Sequence, residues 1–188
     1  MLFTVADLQI EPIEFAATYQ PGQIIYGQEE AGLRQTTPLK TEGRADLVEE
    51  HHGPKRIVSD IRVRGSYNSD FEVLCARCLE PVPQHIEGTF DLLYRPLGAQ
   101  IHESADEHSI TTSETEIGYY QKSGLELEDV LREQILLSLP ARILCRTDCK
   151  GICPGCGQNL NLTACTCDKS TPDARWTKLA DIGGLQKP

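Results

Sequence analysis

The eight cysteines are the residues whose type and spacing most clearly predict chemistry. They form four close pairs: Cys75 and Cys78, Cys145 and Cys149, Cys153 and Cys156, and Cys165 and Cys167. Structural zinc takes four ligands in a tetrahedron, and a short loop can present two thiolates to one ion. The segment 153–157, Cys-Pro-Gly-Cys-Gly, is typical of a zinc knuckle, since Pro and Gly favour a tight turn. Eight thiolates therefore predict two zinc ions with no ligand left over.

Other roles remain open to the same cysteines. A reducing cytosol disfavours disulfides, and close pairing at every position disfavours cysteines that merely fill a core. Cys75 and Cys78 have the spacing of a dithiol oxidoreductase, whose motif belongs at the start of a helix in a βαβ unit. Here the pair follows a strand-like segment and precedes Pro81 and Pro83. Zinc ligation is therefore favoured, with the oxidoreductase as an alternative.

The grouping of the pairs into sites has two solutions. The last two pairs can close one local site, which leaves Cys75 and Cys78 to join Cys145 and Cys149 across roughly seventy residues. In the competing arrangement, Cys145 and Cys149 join the neighbouring knuckle instead. We favour the first grouping, although spacing alone permits both.

Period-two alternation predicts strands in the segments that must position these cysteines. Residues 56–67 place Ile57, Ile61, Val63 and Tyr67 on one face, with Asp60, Arg62 and Arg64 on the other. Residues 68–70 are a turn signal, so 71–74 are predicted to return as the second strand of a hairpin. A further strand is predicted with Ile86, Phe90, Leu92 and Tyr94 on one face, and a weaker one over residues 39–48.

One strong helix signal covers residues 125–139. Leu127, Val130, Leu131 and Ile135 recur at helical spacing. Ser123 and Glu126 fit a capping box, and Pro140 ends the helix. Leu136, Leu137 and Leu139 make the last turn apolar nearly all round, so we expect that end to be buried.

These elements predict an α+β protein with an antiparallel β-body, one main packed helix and a C-terminal cysteine-rich zinc-binding module. The body would span residues 1–140 and the module with a short tail residues 141–188, and we expect the two to be integrated in one domain. Residues 98–116 are rich in Ser, Thr and Glu and predict a mobile acidic loop. In the tail, Trp176, Leu179 and Ile182 could form a short helix that packs on the body.

The formal net charge of −10 argues against a protein that coats nucleic acid, because phosphate binding depends on Lys and Arg. Basic residues gather on one predicted strand and around the cysteine module: Lys55, Arg56, Arg62 and Arg64, then Arg142, Arg146 and Lys150. An ordinary mixed-charge surface explains both groups. The functional alternative is an RNA-backbone contact through Arg142, Arg146 and Lys150.

Apart from the CxxC spacing of Cys75 and Cys78, no sequence pattern predicts an enzyme. His51 and His52 lie among acidic residues in a predicted loop, and neighbouring side chains on an extended chain point in different directions. No Ser-His-Asp arrangement or glycine-rich phosphate loop is evident. No apolar run reaches membrane-spanning length, and residues 1–7 lack the features of a signal peptide, so we expect a cytoplasmic protein.

Longer segments around the cysteines resemble a known family. They are Cys-Ala-Arg-Cys-Leu-Glu-Pro at 75–81, the leucine-rich helix that ends at Leu139 and Pro140, and Cys-Arg-Thr-Asp-Cys-Lys-Gly-Ile-Cys-Pro-Gly-Cys-Gly-Gln-Asn-Leu-Asn at 145–161. Together they resemble the YceD, or large-subunit ribosomal RNA accumulation protein, family over residues 39–179. Residues 173–176 fall where members carry Asp-Pro-Arg, with Ala174 replacing the Pro.

The resemblance implies a bacterial-type ribosome-biogenesis factor that supports synthesis, processing or stability of large-subunit (23S) ribosomal RNA. Its partner would be that RNA or its processing machinery, reached directly or through a protein, and no catalytic activity is implied. A structural zinc adaptor that binds a protein partner through the acidic loop is the main alternative, and the dithiol oxidoreductase is the second.

Overall fold

Strands make up most of the regular secondary structure in the computed structural model, which describes residues 1–27, 32–51, 57–99, 117–121 and 124–167. The elements are β1 (Leu2–Phe3), α1 (Val5–Leu8), β2 (Ile13–Tyr19), β3 (Leu33–Gln35), β4 (Leu39–His51), β5 (Ile57–Leu74), β6 (Pro81–Pro96), β7 (Ile117–Tyr120), β8 (Leu125–Glu126) and α2 (Leu127–Ser138). The predicted strand-rich body is thereby confirmed. No element before Leu39 was predicted.

The main sheet has six strands in the order β2-β4-β5-β6-β7, with β3 also paired to β5. Neighbouring strands are antiparallel except β6 and β7, which run parallel. The expectation of a purely antiparallel body is therefore wrong at this edge. Strands β1 and β8 form a separate antiparallel pair that joins the start of the chain to the start of α2.

Strand β5 is a single element of 18 residues, so the predicted turn at residues 68–70 is wrong. Its polar residues find partners within the sheet. The Ser69 hydroxyl donates to the carbonyl oxygen of Thr37 at 2.9 Å, and the backbone N–H of Asp70 donates to Thr37 Oγ1 at 2.9 Å. The chain instead reverses at residues 75–80, between β5 and β6. The first cysteine pair therefore lies in the hairpin turn itself.

The core lies between one face of the sheet and helix α2. Ile61, Val63 and Tyr67 of β5 are buried there, as predicted, together with Ile86, Phe90 and Tyr94 of β6. Ile57 was assigned to the same face but is 56% exposed. Near this end of β5 burial moves to the opposite face, where Val58 and Asp60 are covered.

Asp60 was predicted to be a surface residue, and the structure corrects this. Its side chain is only 1% exposed. The Arg95 guanidinium, itself buried, lies 2.7 Å from Asp60 Oδ2 and 2.6 Å from Glu50 Oε2. A buried carboxylate needs such a partner, because an unpaired charge in the interior is strongly unfavourable.

Helix α2 starts at Leu127, two residues later than predicted, because residues 125–126 pair with β1 as strand β8. Its N-cap is Glu126, which makes no side-chain cap hydrogen bond, and Ser123 lies outside the described residues. The predicted core stripe is confirmed, since Leu127, Val130, Leu131 and Ile135 are all buried.

The predicted burial of the last helical turn is wrong for two of its three leucines, and only Leu139 packs partly buried against the core. Leu136 is 42% exposed and Leu137 is 71% exposed. The helix packs through the single stripe that contains Leu131 and Ile135, and residues 136 and 137 lie off it at about 100° per residue. Leu136 and Leu137 therefore lie on the surface of the described part of the protein.

Several predictions from the sequence fall outside the described residues. They concern His52, Lys55 and Arg56, most of the acidic loop at 100–116, and the tail with Trp176, Leu179 and Ile182. Within the described part, no helix is long and apolar enough to cross a membrane.

The buried stripe of α2 yields a direct test. Leu131 is fully buried, so Leu131→Asp should place an unpaired carboxylate in the core and lower the free energy of unfolding by several kcal/mol, roughly 3 to 5. Leu137→Asp on the exposed side of the same helix is the matched control and should change it by less than about 1 kcal/mol. Urea unfolding followed by circular dichroism measures both, and similar losses in the two variants would contradict the packing described.

Candidate metal centres

The turn between β5 and β6, which we call the first knuckle, is closed by backbone hydrogen bonds. The N–H of Cys75 donates to the carbonyl oxygen of Glu80 at 2.8 Å, and the N–H of Leu79 donates to the carbonyl oxygen of Cys75 at 3.0 Å. Leu79 adopts a left-handed conformation with φ 61°, which is unfavourable for a residue with a Cβ. These bonds hold Cys75 and Cys78 on one side of the turn.

The loop at residues 153–158 repeats this arrangement. The N–H of Cys153 donates to the carbonyl oxygen of Gln158 at 2.8 Å, and the N–H of Gly157 donates to the carbonyl oxygen of Cys153 at 2.8 Å. Gly157 has φ 74° and occupies the position that Leu79 has in the first knuckle. The two CxxC segments therefore form equivalent turns.

The structure brings the eight sulfurs into two groups of four, and within each group all ligand atoms lie within 4.8 Å of one another. The inner cluster consists of Cys75, Cys78, Cys145 and Cys149, and the outer cluster of Cys153, Cys156, Cys165 and Cys167. This is the grouping favoured from spacing. The competing arrangement, with Cys145 and Cys149 beside the knuckle at 153–158, is not adopted.

Distances in the inner cluster fit a tetrahedral metal site. Cys75 Sγ lies 3.8 Å from Cys149 Sγ, and Cys78 Sγ lies 3.5 Å from Cys145 Sγ. Zinc–sulfur bonds of about 2.3 Å in a tetrahedron place sulfurs about 3.8 Å apart, whereas a disulfide bond is about 2.05 Å long. Three of these cysteines are buried and Cys145 is exposed.

The outer cluster has similar spacing but a more open position. Cys165 Sγ lies 3.3 Å from Cys153 Sγ and 3.5 Å from Cys156 Sγ. Cys153 is buried, Cys156 is exposed, and Cys165 and Cys167 are half-buried. Its four ligands come from fifteen consecutive residues, 153–167, so this cluster is local.

Backbone N–H groups point at the sulfurs, which favours thiolates. The N–H of Cys145 donates to Cys75 Sγ at 3.3 Å, and the N–H of Gly155 donates to Cys153 Sγ at 3.4 Å. In the outer cluster, the N–H of Cys167 also donates to Cys165 Sγ at 3.2 Å. Four thiolates together with such donors form a ligand set that suits zinc.

Protonation differs among the thiols of each cluster. A hydrogen bond from the Cys78 backbone lowers the pKa of Cys75 to about 6, and one from the Cys156 backbone lowers the pKa of Cys153 to about 6. The neighbouring sulfurs of Cys78 and Cys165 raise the pKa of Cys145 and Cys167, respectively, to about 12. A metal ion that binds here would displace protons, so its affinity should fall as pH is lowered.

Three hydrogen bonds join the first knuckle to the segment after α2. The N–H of Ala76 donates to the carbonyl oxygen of Ile143 at 2.8 Å, and the N–H of Ile152 donates to that of Arg77 at 3.1 Å. The Arg77 guanidinium donates to the Cys149 carbonyl oxygen at 2.7 Å. The inner cluster thus fixes the β5–β6 turn against the chain that leaves the helix.

Arg142, Arg146 and Lys150 are all exposed along the segment that supplies Cys145 and Cys149. Arg146 donates to Asn161 Oδ1 at 2.7 Å and lies 3.5 Å from Asp148 Oδ1. Among the described residues, Arg142 and Lys150 form no ion pair.

The described arginines of the predicted basic group on β5 pair with carboxylates, and Arg64 shares its partner Asp46 with Arg44. Arg62 pairs with Asp91 at 2.6 Å and Arg64 pairs with Asp46 at 2.6 Å. These arginines therefore form ion pairs on the surface of the sheet.

Sequence reasoning assigned no role to Arg77, Asn159 or Asn161, although all three contact the inner cluster or its knuckle. Arg77 lies between Cys75 and Cys78, and this position is the sequence signal that could have identified it. The two asparagines lie in the segment that carries the family resemblance, but no spacing rule marks an amide that supports a sulfur.

Comparisons with known proteins identify a family. The family described as large ribosomal RNA subunit accumulation protein YceD matches residues 63–183, which include all eight cysteines, strand β6 and helix α2. A protein of maize named large ribosomal RNA subunit accumulation protein YCED homolog 1, chloroplastic, is 27% identical over 57% of this chain and 44% of its own length. The resemblance read from the sequence is thereby confirmed.

Mycobacterial proteins are also similar. An uncharacterised protein of Mycobacterium leprae is 28% identical over 92% of this chain and 78% of its own length. A protein of Mycobacterium tuberculosis is 34% identical over 58% of this chain. The match covers about half, 49%, of the length of that relative. No solved structure gives a significant match.

The two clusters predict different consequences of ligand loss. The purified protein should contain two zinc ions per chain by elemental analysis. Cys75→Ser removes a ligand that joins segments 70 residues apart, so it should lower the free energy of unfolding by several kcal/mol. Cys165→Ser opens only a local loop and should cost less. Equal losses in urea unfolding with zinc present would show that the inner cluster does not hold the body together.

Proposed function

Because the chain belongs to the YceD family of large ribosomal RNA subunit accumulation proteins, we propose that it is a non-enzymatic ribosome-biogenesis factor that supports the synthesis, processing or stability of that RNA. The observation that carries the proposal is the family match across both cysteine clusters and helix α2. The name of the maize relative refers to the same process. We place this role in the cytoplasm, with ribosomal RNA or its processing machinery as the partner.

Two zinc ions are the proposed cofactors. The sulfur spacing, the N–H groups directed at sulfur and the donor set of four thiolates in each cluster support this assignment. Such ions would stabilise the fold, because closed sites with four protein ligands leave no position for a reacting water. The proposed metal role is therefore structural.

The same clusters argue against a dithiol oxidoreductase. All eight cysteines belong to the two clusters, so the zinc-loaded protein would keep no free thiol for disulfide exchange. Cys75 and Cys78 also lie in a hairpin turn and not at a helix N-terminus, where a low thiol pKa usually serves redox catalysis.

Direct contact with RNA is proposed through Arg142, Arg146 and Lys150. Their side chains are exposed on one segment. Among the described residues Arg142 and Lys150 form no ion pair and Arg146 has only an exposed one with Asp148, whereas Arg62 and Arg64 of β5 pair with carboxylates at 2.6 Å. Phosphate contacts by such cations would position RNA beside the inner cluster without reading its sequence.

A structural zinc adaptor for a protein partner is the second candidate. Two leucines near the clusters are largely exposed: Leu79 of the β5–β6 turn is 55% exposed, and Leu162, between Cys156 and Cys165, is 77% exposed. Exposed leucines suit contact with a protein more than contact with phosphate.

Depletion of the protein in its own cells tests the function. The ratio of large- to small-subunit ribosomal RNA should fall and should recover with the wild-type chain but not with Cys75→Ser. Unchanged ribosomal RNA after depletion would refute the proposal. If a chain in which Arg142, Arg146 and Lys150 are replaced by Ala restored the ratio, the adaptor would be favoured.

The RNA contact predicts a salt effect. Replacing Arg142, Arg146 and Lys150 together with Ala should weaken binding to a large-subunit RNA fragment and reduce the slope of log affinity against log salt by about 2 to 3. Replacing Arg44, Arg62 and Arg64 removes as many charges from ion pairs of the sheet and should leave the slope nearly unchanged. Fluorescence anisotropy at several salt concentrations measures both. Equal slopes in the wild type and the first variant would show that Arg142, Arg146 and Lys150 do not contact the RNA.

A further inference from the structure

We propose that the two metal centres are thermodynamically coupled through Asn161, whose side chain joins the loop of the outer cluster to a sulfur of the inner one. This inference rests on the proposed zinc binding and goes beyond it, because four-cysteine sites can bind metal independently. Asn161 would act as a positioning residue that makes each ion strengthen the binding of the other.

The Asn161 side chain reaches the inner cluster directly. Its Nδ2 donates to Cys149 Sγ at 3.4 Å, and its Oδ1 accepts from the backbone N–H of Lys150 at 2.8 Å. The Arg146 guanidinium donates to the same oxygen at 2.7 Å. Because the Lys150 N–H and the guanidinium can only donate, the amide oxygen must face them, which turns the NH₂ group toward the sulfur.

The outer cluster holds the loop that carries this amide. Cys156 and Cys165 lie on either side of residues 157–164, and their sulfurs are 3.5 Å apart. Within the loop, Asn159 Oδ1 accepts from both the backbone N–H of Asn161, at 3.0 Å, and its Nδ2, at 2.9 Å. The N–H of Leu160 donates to the carbonyl oxygen of Gly151 at 2.9 Å. A metal ion in the outer cluster would therefore fix Asn161 in its donating position.

A second contact crosses between the two knuckles. Asn159 Nδ2 donates to Glu80 Oε1 at 3.0 Å, and Glu80 belongs to the turn that carries Cys75 and Cys78. The loop thus touches the inner cluster on both of its chain segments, at Cys149 and beside Cys78. An ion in the outer cluster that orders this loop would therefore place the contacts to Cys149 and Glu80 that support an ion in the inner cluster.

The physical basis of the coupling is a hydrogen bond to a charged sulfur. An N–H donor stabilises a thiolate and hence the metal-bound form of the inner cluster. Without metal in the outer cluster, the entropy of ordering the loop opposes this bond. Coupling between sites is reciprocal, and loss of one supporting hydrogen bond of this kind typically changes metal affinity by about tenfold.

A double-mutant cycle on the full chain tests the proposal. Cys156→Ser combined with Cys165→Ser removes the outer site, and Asn161→Ala removes the amide. Zinc affinity of the inner site is measured by chelator competition, and Co²⁺ absorption reports whether its four-thiolate coordination persists. Each change should weaken zinc binding at the inner site by about tenfold. Their combination should weaken it no more than removal of the outer site alone, because that removal already releases the contact of Asn161.

Further variants separate this role from general damage to the loop. Gln158→Ala removes a bond to Thr163 Oγ1 within the same loop, without a contact to the inner cluster, and should leave inner-site affinity unchanged. Asn161→Asp keeps the acceptor for Lys150 but places a carboxylate beside Cys149, so it should weaken the inner site more than Asn161→Ala does.

The possible outcomes distinguish the coupling from the zinc proposal itself. Two zinc ions per chain with additive losses in the cycle, or with an inner site that does not respond to loss of the outer one, would overturn the coupling alone. Fewer than two zinc ions in the wild-type chain would overturn the proposed metal binding and the coupling with it.

Discussion

The convergence of four sulfurs where β5 turns into β6 is the constraint on which the rest of the structure depends. Cys75 and Cys149 are 74 residues apart in sequence, yet both are buried at this place. Four close thiols cannot all ionise without a cation, because like charges at this distance oppose one another. A bound zinc ion would remove that conflict, and its binding energy would become folding energy for the segment after α2.

The two knuckles show how the metal sites relate to backbone strain. Gly157 adopts its left-handed conformation at no steric cost, whereas Leu79 does so at the equivalent position of the first turn. The paired strands β5 and β6 flank the turn that contains Leu79. Within it, the N–H of Leu79 donates to the carbonyl oxygen of Cys75, and the N–H of Ala76 donates to that of Ile143. The inner turn can therefore tolerate an unfavourable residue that the local, open outer turn avoids.

Much of this architecture could be predicted from the sequence, because its periodic signals are local. The stripe through Leu131, the alternation of β6 and the close cysteine pairs each follow from spacing. The turn at 68–70 was wrongly predicted because Ser69 and Asp70 find their partners at Thr37, which no local rule connects to them. Asp60 was misplaced for the same reason, since its burial depends on Arg95 from another strand. Asn161 was missed because its partner, Cys149, is set by the folded loop.

Charge links the metal centres to the proposed contact with RNA. A zinc ion with four thiolates carries −2, so two such centres would change the formal charge of the chain from −10 to about −14. Arg77 and Arg146 lie next to the inner cluster and would first offset its negative charge. Only part of the positive potential of Arg142, Arg146 and Lys150 would then remain for phosphate. An RNA contact at this place should accordingly be local, weak at high salt and confined to the cysteine module. Such a contact suits a factor that acts at a defined position on ribosomal RNA better than one that coats it.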